Sequence, residues 1–124
     1  MKQSKYLLML AALLVSSASS REMPSGSEQF YVAQGLFGEL ELEPLSCWMN
    51  DPVINFACGQ YKGDVESFKS RVDAYVSSEL PGLFKAVAWF GSGNTTVQDY
   101  RSVEGSYLIG YNPGGYVVIA FTPR

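Results

Sequence analysis

The stretch from Asp64 to Leu80 places the strongest constraint on how this chain can fold. Val65, Phe68, Val72, Tyr75, Val76 and Leu80 recur at steps of three and four residues. That spacing makes one apolar stripe along a helix. Asp64 is a natural N-cap, and Glu66 suits the positive end of the helix dipole. Lys69 and Asp73 lie one turn apart on the polar side. Pro81-Gly82 ends the helix. A helix with a single apolar side must bury it against another layer. Its polar side is not basic, which argues against a helix lying on a membrane surface.

After the helix the period changes. Phe84 to Phe90 is almost wholly apolar and reads as a central strand. Gly91-Ser92-Gly93-Asn94 reads as a turn. It is not a phosphate-binding loop, because such loops open onto a helix and Thr95 begins a β-branched stretch. Thr95 to Val103 reads as a polar strand nearer an edge. Tyr107–Tyr111 and Tyr116–Thr122 form a hairpin around Asn112-Pro113-Gly114-Gly115, where proline followed by glycine suits a type II turn. Ahead of the helix, Phe30–Ala33 and Glu39–Leu42 read as short strands about a Gly35–Gly38 turn. In the second, Leu40 and Leu42 alternate with Glu39, Glu41 and then Glu43. Three carboxylates on one strand face are read as a solvated face; as a calcium site they would need oxygen ligands from elsewhere. Pro44 to Tyr61 reads as an irregular stretch whose Trp48, Ile54 and Phe56 fold it back onto the core.

The expectation is an α+β fold, with one amphipathic helix packed on an antiparallel sheet of about four to six strands. Residues 21–28 serve as a flexible lead-in, and residues 29–124 form one domain. This plan is similar to that of cystatin-like and profilin-like domains. The glutamine–valine–glycine hairpin motif of cystatins is absent, and neither family is assigned.

The amino terminus carries an address. Lys2 and Lys5 precede the unbroken apolar run Tyr6–Val15, and small residues follow from Ser16 to Ser20. These are the three regions of a secretory signal peptide, here residues 1–20 with cleavage after Ser20. The run is far shorter than the roughly 20 apolar residues that a spanning helix needs. The product is expected to be exported, to a periplasm or to the outside of the cell, without a transmembrane segment. Cleavage removes two of the nine basic residues and none of the twelve acidic ones, so net charge moves from −3 to about −5. No basic patch appears, which disfavours nucleic acid and anionic membrane as partners.

Both cysteines, Cys47 and Cys58, follow the signal. In an oxidising compartment an even count reads as a disulfide. The chain has no histidine. Ser–His and Cys–His nucleophile pairs and the commonest zinc ligands are thereby excluded. Carboxylate chemistry stays open, with Asp51, Asp99 and Glu104 as candidates, but their spacing singles out no pair. Asn94-Thr95-Thr96 matches the N-glycosylation pattern in an exposed turn. No metal or cofactor is called for.

The hairpin yields the candidate site. Pairing Tyr111 with Tyr116 puts Ile109 opposite Val118 and Tyr107 opposite Ala120. Both faces of the hairpin are then apolar or aromatic, whereas a half-exposed hairpin alternates polar with apolar. One helix can cover one face, expected to be that of Leu108, Ile119 and Phe121. The face of Tyr107, Ile109, Tyr111, Tyr116 and Val118 is left either partly exposed as the contact surface or covered by the folded-back Trp48–Phe56 loop. The leading expectation is an exported, non-catalytic binding domain, with a protein partner or a second copy on that face, or a small apolar ligand between helix and sheet. The alternatives are a small secreted carboxylate-dependent hydrolase and a structural envelope component.

Overall fold

The computed structural model describes residues 23–48 and 54–124. The expected signal peptide and Asp51 lie outside the described residues. Helix α1 spans Glu28–Leu40 and helix α2 spans Val65–Glu79. The strands are β1 Glu43–Leu45, β2 Asn55–Gln60, β3 Phe84–Lys85, β4 Phe90–Ser92, β5 Thr95–Arg101, β6 Gly105–Tyr111 and β7 Tyr116–Pro123. They form one antiparallel sheet in the order β1-β2-β7-β6-β5-β3, with β4 also on β5. The class is α+β, with two helices and seven strands rather than one helix and at most six strands.

Helix α2 forms where the stripe requires it. Asp64 caps it, accepting the Ser67 N–H at 2.8 Å, and Phe68, Val72 and Val76 are buried. The two short strands expected between Phe30 and Leu42 are instead α1. Val32, Ala33, Leu36, Phe37 and Leu40 make its buried side, again at three- and four-residue steps. Ser27 supplies the N-cap, with Phe30 N–H 3.1 Å from its hydroxyl. The glycines that suggest a turn serve packing instead. A Cβ on Gly35 would lie 2.1 Å from the Tyr75 hydroxyl, so the bare backbone is what lets α2 approach. The helix ends at Glu41, which takes the left-handed conformation (φ 52°). Glu41 N–H bonds the Gly38 carbonyl at 3.3 Å and Leu42 N–H bonds that of Phe37 at 3.0 Å. This is the two-bond Schellman ending, with Phe37 and Leu42 buried beside it. Within the expected lead-in, Met23 packs into the core and Glu28 opens α1.

Two more strand assignments change. The stretch Pro44–Tyr61 is not irregular throughout, because β2 pairs along its whole length with β7. The run Phe84–Phe90 is not a central strand. It supplies two short edge strands on β5, and Phe84, Val87 and Phe90 are exposed. Within the run Trp89 packs on the helix-side core, as Leu83 does just ahead of it. Among the described residues no helix is long and apolar enough to cross a membrane.

Both helices lie on the same face of the sheet. Leu36, Phe37, Phe68 and Val72 from the helices meet Tyr107, Ile109, Ile119 and Phe121 from the sheet in one core. A smaller cluster of Cys47, Phe56, Cys58, Val118 and Ala120 sits on the other face and contains no helix residue.

Candidate functional site

The register of the final hairpin decides which side chains face outward. Asn112 N–H bonds the Tyr116 carbonyl at 2.9 Å, and Gly115 N–H bonds the Asn112 carbonyl at 3.0 Å. The latter bond closes a turn with Pro113 second and Gly114 third, at φ 87°, as type II geometry demands. Gly115 then adds a further residue, at φ 88°. The loop is therefore three residues long, and Tyr111 pairs with Val117 rather than Tyr116. Ile109 lies opposite Ile119, and Tyr107 opposite Phe121. A slip of one residue turns one strand's faces over relative to the other's. Gly115 must be glycine on steric grounds too, since a Cβ there would lie 2.4 Å from the Tyr61 carbonyl oxygen.

The expected contact surface is thereby divided. Tyr107 and Ile109 are fully buried beneath the helices. The Tyr107 hydroxyl donates to Glu28 of α1 at 2.6 Å. Tyr111 is half-buried on the same side; its ring lies 5.2 Å from that of Phe68 and its hydroxyl donates to the Gly63 carbonyl. Only Tyr116 and Val118 lie on the face away from the helices, Tyr116 half-buried and Val118 buried. Leu108, expected beneath the helix, lies there with them and is 39% exposed.

Pairing builds the open face in rows that run across the strands. One row is Val97, Gly110, Val118 and Cys58, from β5, β6, β7 and β2. Cys58 carries the disulfide to Cys47. The next row is Asp99, Leu108, Ala120 and Phe56. A more polar row borders the first on its far side, where the Thr95 hydroxyl donates to Asn112 Oδ1 at 2.6 Å. Gly110 and Ala120 are the smallest side chains in these rows, and larger ones flank them. The result is a trough of about 580 Å³ lined by Val97, Leu108, Gly110, Val118, Ala120, Phe56, Ile54 and Trp48, with Ser92, Thr95 and Asn112 as polar lining. No lining residue is charged. That volume and mix suit an apolar guest with a few polar contacts.

Trp48 closes one end. Its ring stacks on Tyr116 at 5.8 Å, its backbone N–H donates to the Tyr116 hydroxyl at 3.2 Å, and that hydroxyl donates to the Ser46 carbonyl. Burial pushes the Tyr116 phenol up, against the opposite pull of the Trp48 N–H. Beside the trough, Arg101 donates twice to Asp99 Oδ2, at 3.0 and 3.3 Å. Asp99 Oδ1 is buried without a partner among the described residues.

A second hollow, of about 530 Å³, opens on the helix side near Asp73, Ser77, Lys85 and Tyr100. Its chemistry is structural. Asp73 accepts from the Tyr100 hydroxyl, from Trp89 Nε1 at 2.9 Å and from Lys85 Nζ at 3.1 Å. The carboxylate ties the stretch from β3 to β4, and β5, to α2, and it does not pair with Lys69. Lys69 bonds Glu66 instead. Burial opposes the Asp73 charge, yet the three donors together hold its carboxyl below the usual value. A carboxyl lowered in the folded state contributes stability above its unfolded value near 4, and loses it as pH falls through the folded one. Unfolding midpoints measured from pH 7 down to pH 2 should fall below about pH 4. In Asp73→Asn the neutral-pH stability should drop by about 1–3 kcal/mol and part of the acid dependence should vanish. An unchanged acid limb would show that other carboxylates carry it.

The glutamates expected on one strand face fall on α1, on its C-cap and on β1. Among the described residues, no three acidic or cysteine side chains gather as metal ligands would. Glu104 lies in the exposed turn between β5 and β6, and Asp99 is engaged by Arg101. Comparison with protein families, with curated proteins and with solved structures gives no match to this chain.

Proposed function

We propose that this chain is an exported, non-catalytic binding domain that holds an apolar partner surface in the trough of its open sheet face. One observation carries this reading: both helices pack on one side, and the other side presents an uncharged trough rather than the alternating polar face of a solvated sheet. The exposed contact residues are Leu108 and Trp48, with half-buried Tyr116 beside Trp48, above a trough floor of buried Phe56, Val118 and Ala120. Tyr107, Ile109 and Tyr111 are not among them. The amino-terminal signal pattern and the Cys47–Cys58 bond support export.

A neutral naphthylamine dye, which brightens in apolar surroundings, tests the face directly. At low protein concentration the oxidised chain from Arg21 to Arg124 should bind it. Leu108→Glu should weaken that binding at least tenfold while leaving the unfolding free energy within about 1 kcal/mol. Leu108→Ser serves as the second variant if the charge disturbs the fold. A wild-type chain that leaves the dye dark would overturn the reading.

A further inference from the structure

Resting on the export half of that reading, and not on the trough, we infer that Asn94 is a modification site, the acceptor of one N-linked oligosaccharide added during export. Asn94-Thr95-Thr96 is the acceptor pattern, with a residue other than proline in the middle. The other asparagines, Asn50, Asn55 and Asn112, have Pro52, Ala57 and Gly114 where the pattern needs a hydroxyl. The fold separates Asn94 from an ordinary turn asparagine. Gly93 and Asn94 are the two-residue loop of the β4–β5 hairpin, between the paired Ser92 and Thr95. Asparagine is favoured in such loops because it tolerates a positive φ or bonds nearby backbone. Neither reason applies to Asn94. Gly93 takes the positive φ, 65°, and Asn94 keeps a negative one. Among the described residues the Asn94 side chain makes no hydrogen bond. The Thr96 hydroxyl likewise makes none among them, whereas the Thr95 hydroxyl between them is engaged by Asn112. The fold therefore uses neither the Asn94 amide nor the Thr96 hydroxyl, the two groups that the acceptor pattern requires.

Space agrees with the chemistry. Gly91 to Asn94 are all exposed, and β4 lies at the edge of the sheet. A sugar chain on Asn94 displaces no packed side chain, as a bulky surface modification requires. The step is a glycosyl transfer, with a lipid-linked oligosaccharide diphosphate as donor and a transferase of the export pathway as catalyst. A bond forms between Asn94 Nδ2 and C1 of the donor's first sugar. The C1–O bond to the diphosphate breaks, and the lipid diphosphate leaves with its electron pair. One Nδ2 proton passes to a base of the transferase.

The test uses the full chain, with its expected signal, in the cells that naturally produce it. Mass spectrometry of the exported protein should show a chain heavier than the bare polypeptide by one oligosaccharide. A glycosidase that hydrolyses the sugar–asparagine bond should remove the whole excess and leave aspartate at position 94. Asn94→Gln should abolish the excess. Thr96→Val should abolish it too; valine keeps the β-branched shape that a strand favours, so this loss reads the hydroxyl alone. Thr96→Ser should retain it. An exported chain of bare polypeptide mass would overturn the inference and leave export and the binding face standing. A chain that stays in the cytoplasm would overturn both the inference and the export reading. An oligosaccharide that survives Asn94→Gln would place the modification elsewhere and overturn the assignment.

Discussion

Tyr107→Ala is expected to lower the unfolding free energy by about 4 kcal/mol, while Leu108→Ala, one residue along, should cost about 1 kcal/mol or less. The difference follows from the faces of β6. Tyr107 is fully buried; its ring packs 4.8 Å from that of Phe121, and its hydroxyl donates to Glu28. Truncation leaves a cavity under α1 and removes one of the two donors on Glu28, the other being the Ser102 hydroxyl at 2.7 Å. Leu108 meets solvent, so its truncation removes little packing. Urea unfolding of the two variants measures both numbers. A larger loss at Leu108 than at Tyr107 would mean that the helices cover the opposite face, and the trough would lose its place.

Breaking the Cys47–Cys58 bond should cost about 3 kcal/mol. The closed loop is about 12 residues, and loop closure of that length removes close to that amount from the unfolded chain's entropy. Total stability in a domain of this size is about 5–10 kcal/mol, so the bond carries a large share of it. Both cysteines are buried on the open face, which adds a packing loss to the entropic one. Denaturant midpoints should drop on reduction and in Cys58→Ser alike. Cys58→Ser should also perturb dye binding, because Cys58 shares a row with Val118 and Gly110. Equal stability with and without the bond would show that the 47–58 loop is held by its strand pairing alone.

Local patterns account for what could be read in advance. The stripe of α2 and its Asp64 cap lie within one continuous segment, and no distant contact is needed to see them. The disulfide follows from two cysteines behind the expected export signal. The hairpin announces itself through its turn residues. At α1 the local signal was present and was outweighed: Leu36, Phe37 and Leu40 keep helical spacing with Val32 and Ala33, but Gly35 and Gly38 suggested a turn. The reason for Gly35 is the Tyr75 ring of another helix, which lies far along the chain. The same limit applies to Phe84–Phe90. An unbroken apolar run suits a strand buried on both sides, and it equally suits short edge pieces that serve two faces in turn.

The sequence by itself determined the layers: an amphipathic α2, an antiparallel sheet and more apolar surface than one helix can cover. It also determined that some sheet surface would be left apolar. Which surface that is depended on a single residue of loop. The Gly115 carbonyl accepts the Tyr61 N–H at 2.8 Å, and Gln60 reaches the Gly114 carbonyl at 2.6 Å. These contacts from the end of β2 and the residue after it hold the three-residue loop and so the pairing of Tyr111 with Val117. Side chains on paired strands share a face only in register, so contacts made 54 residues away along the chain put Tyr107 and Ile109 into the core. The same contacts left Leu108, Gly110 and Ala120 to form the trough.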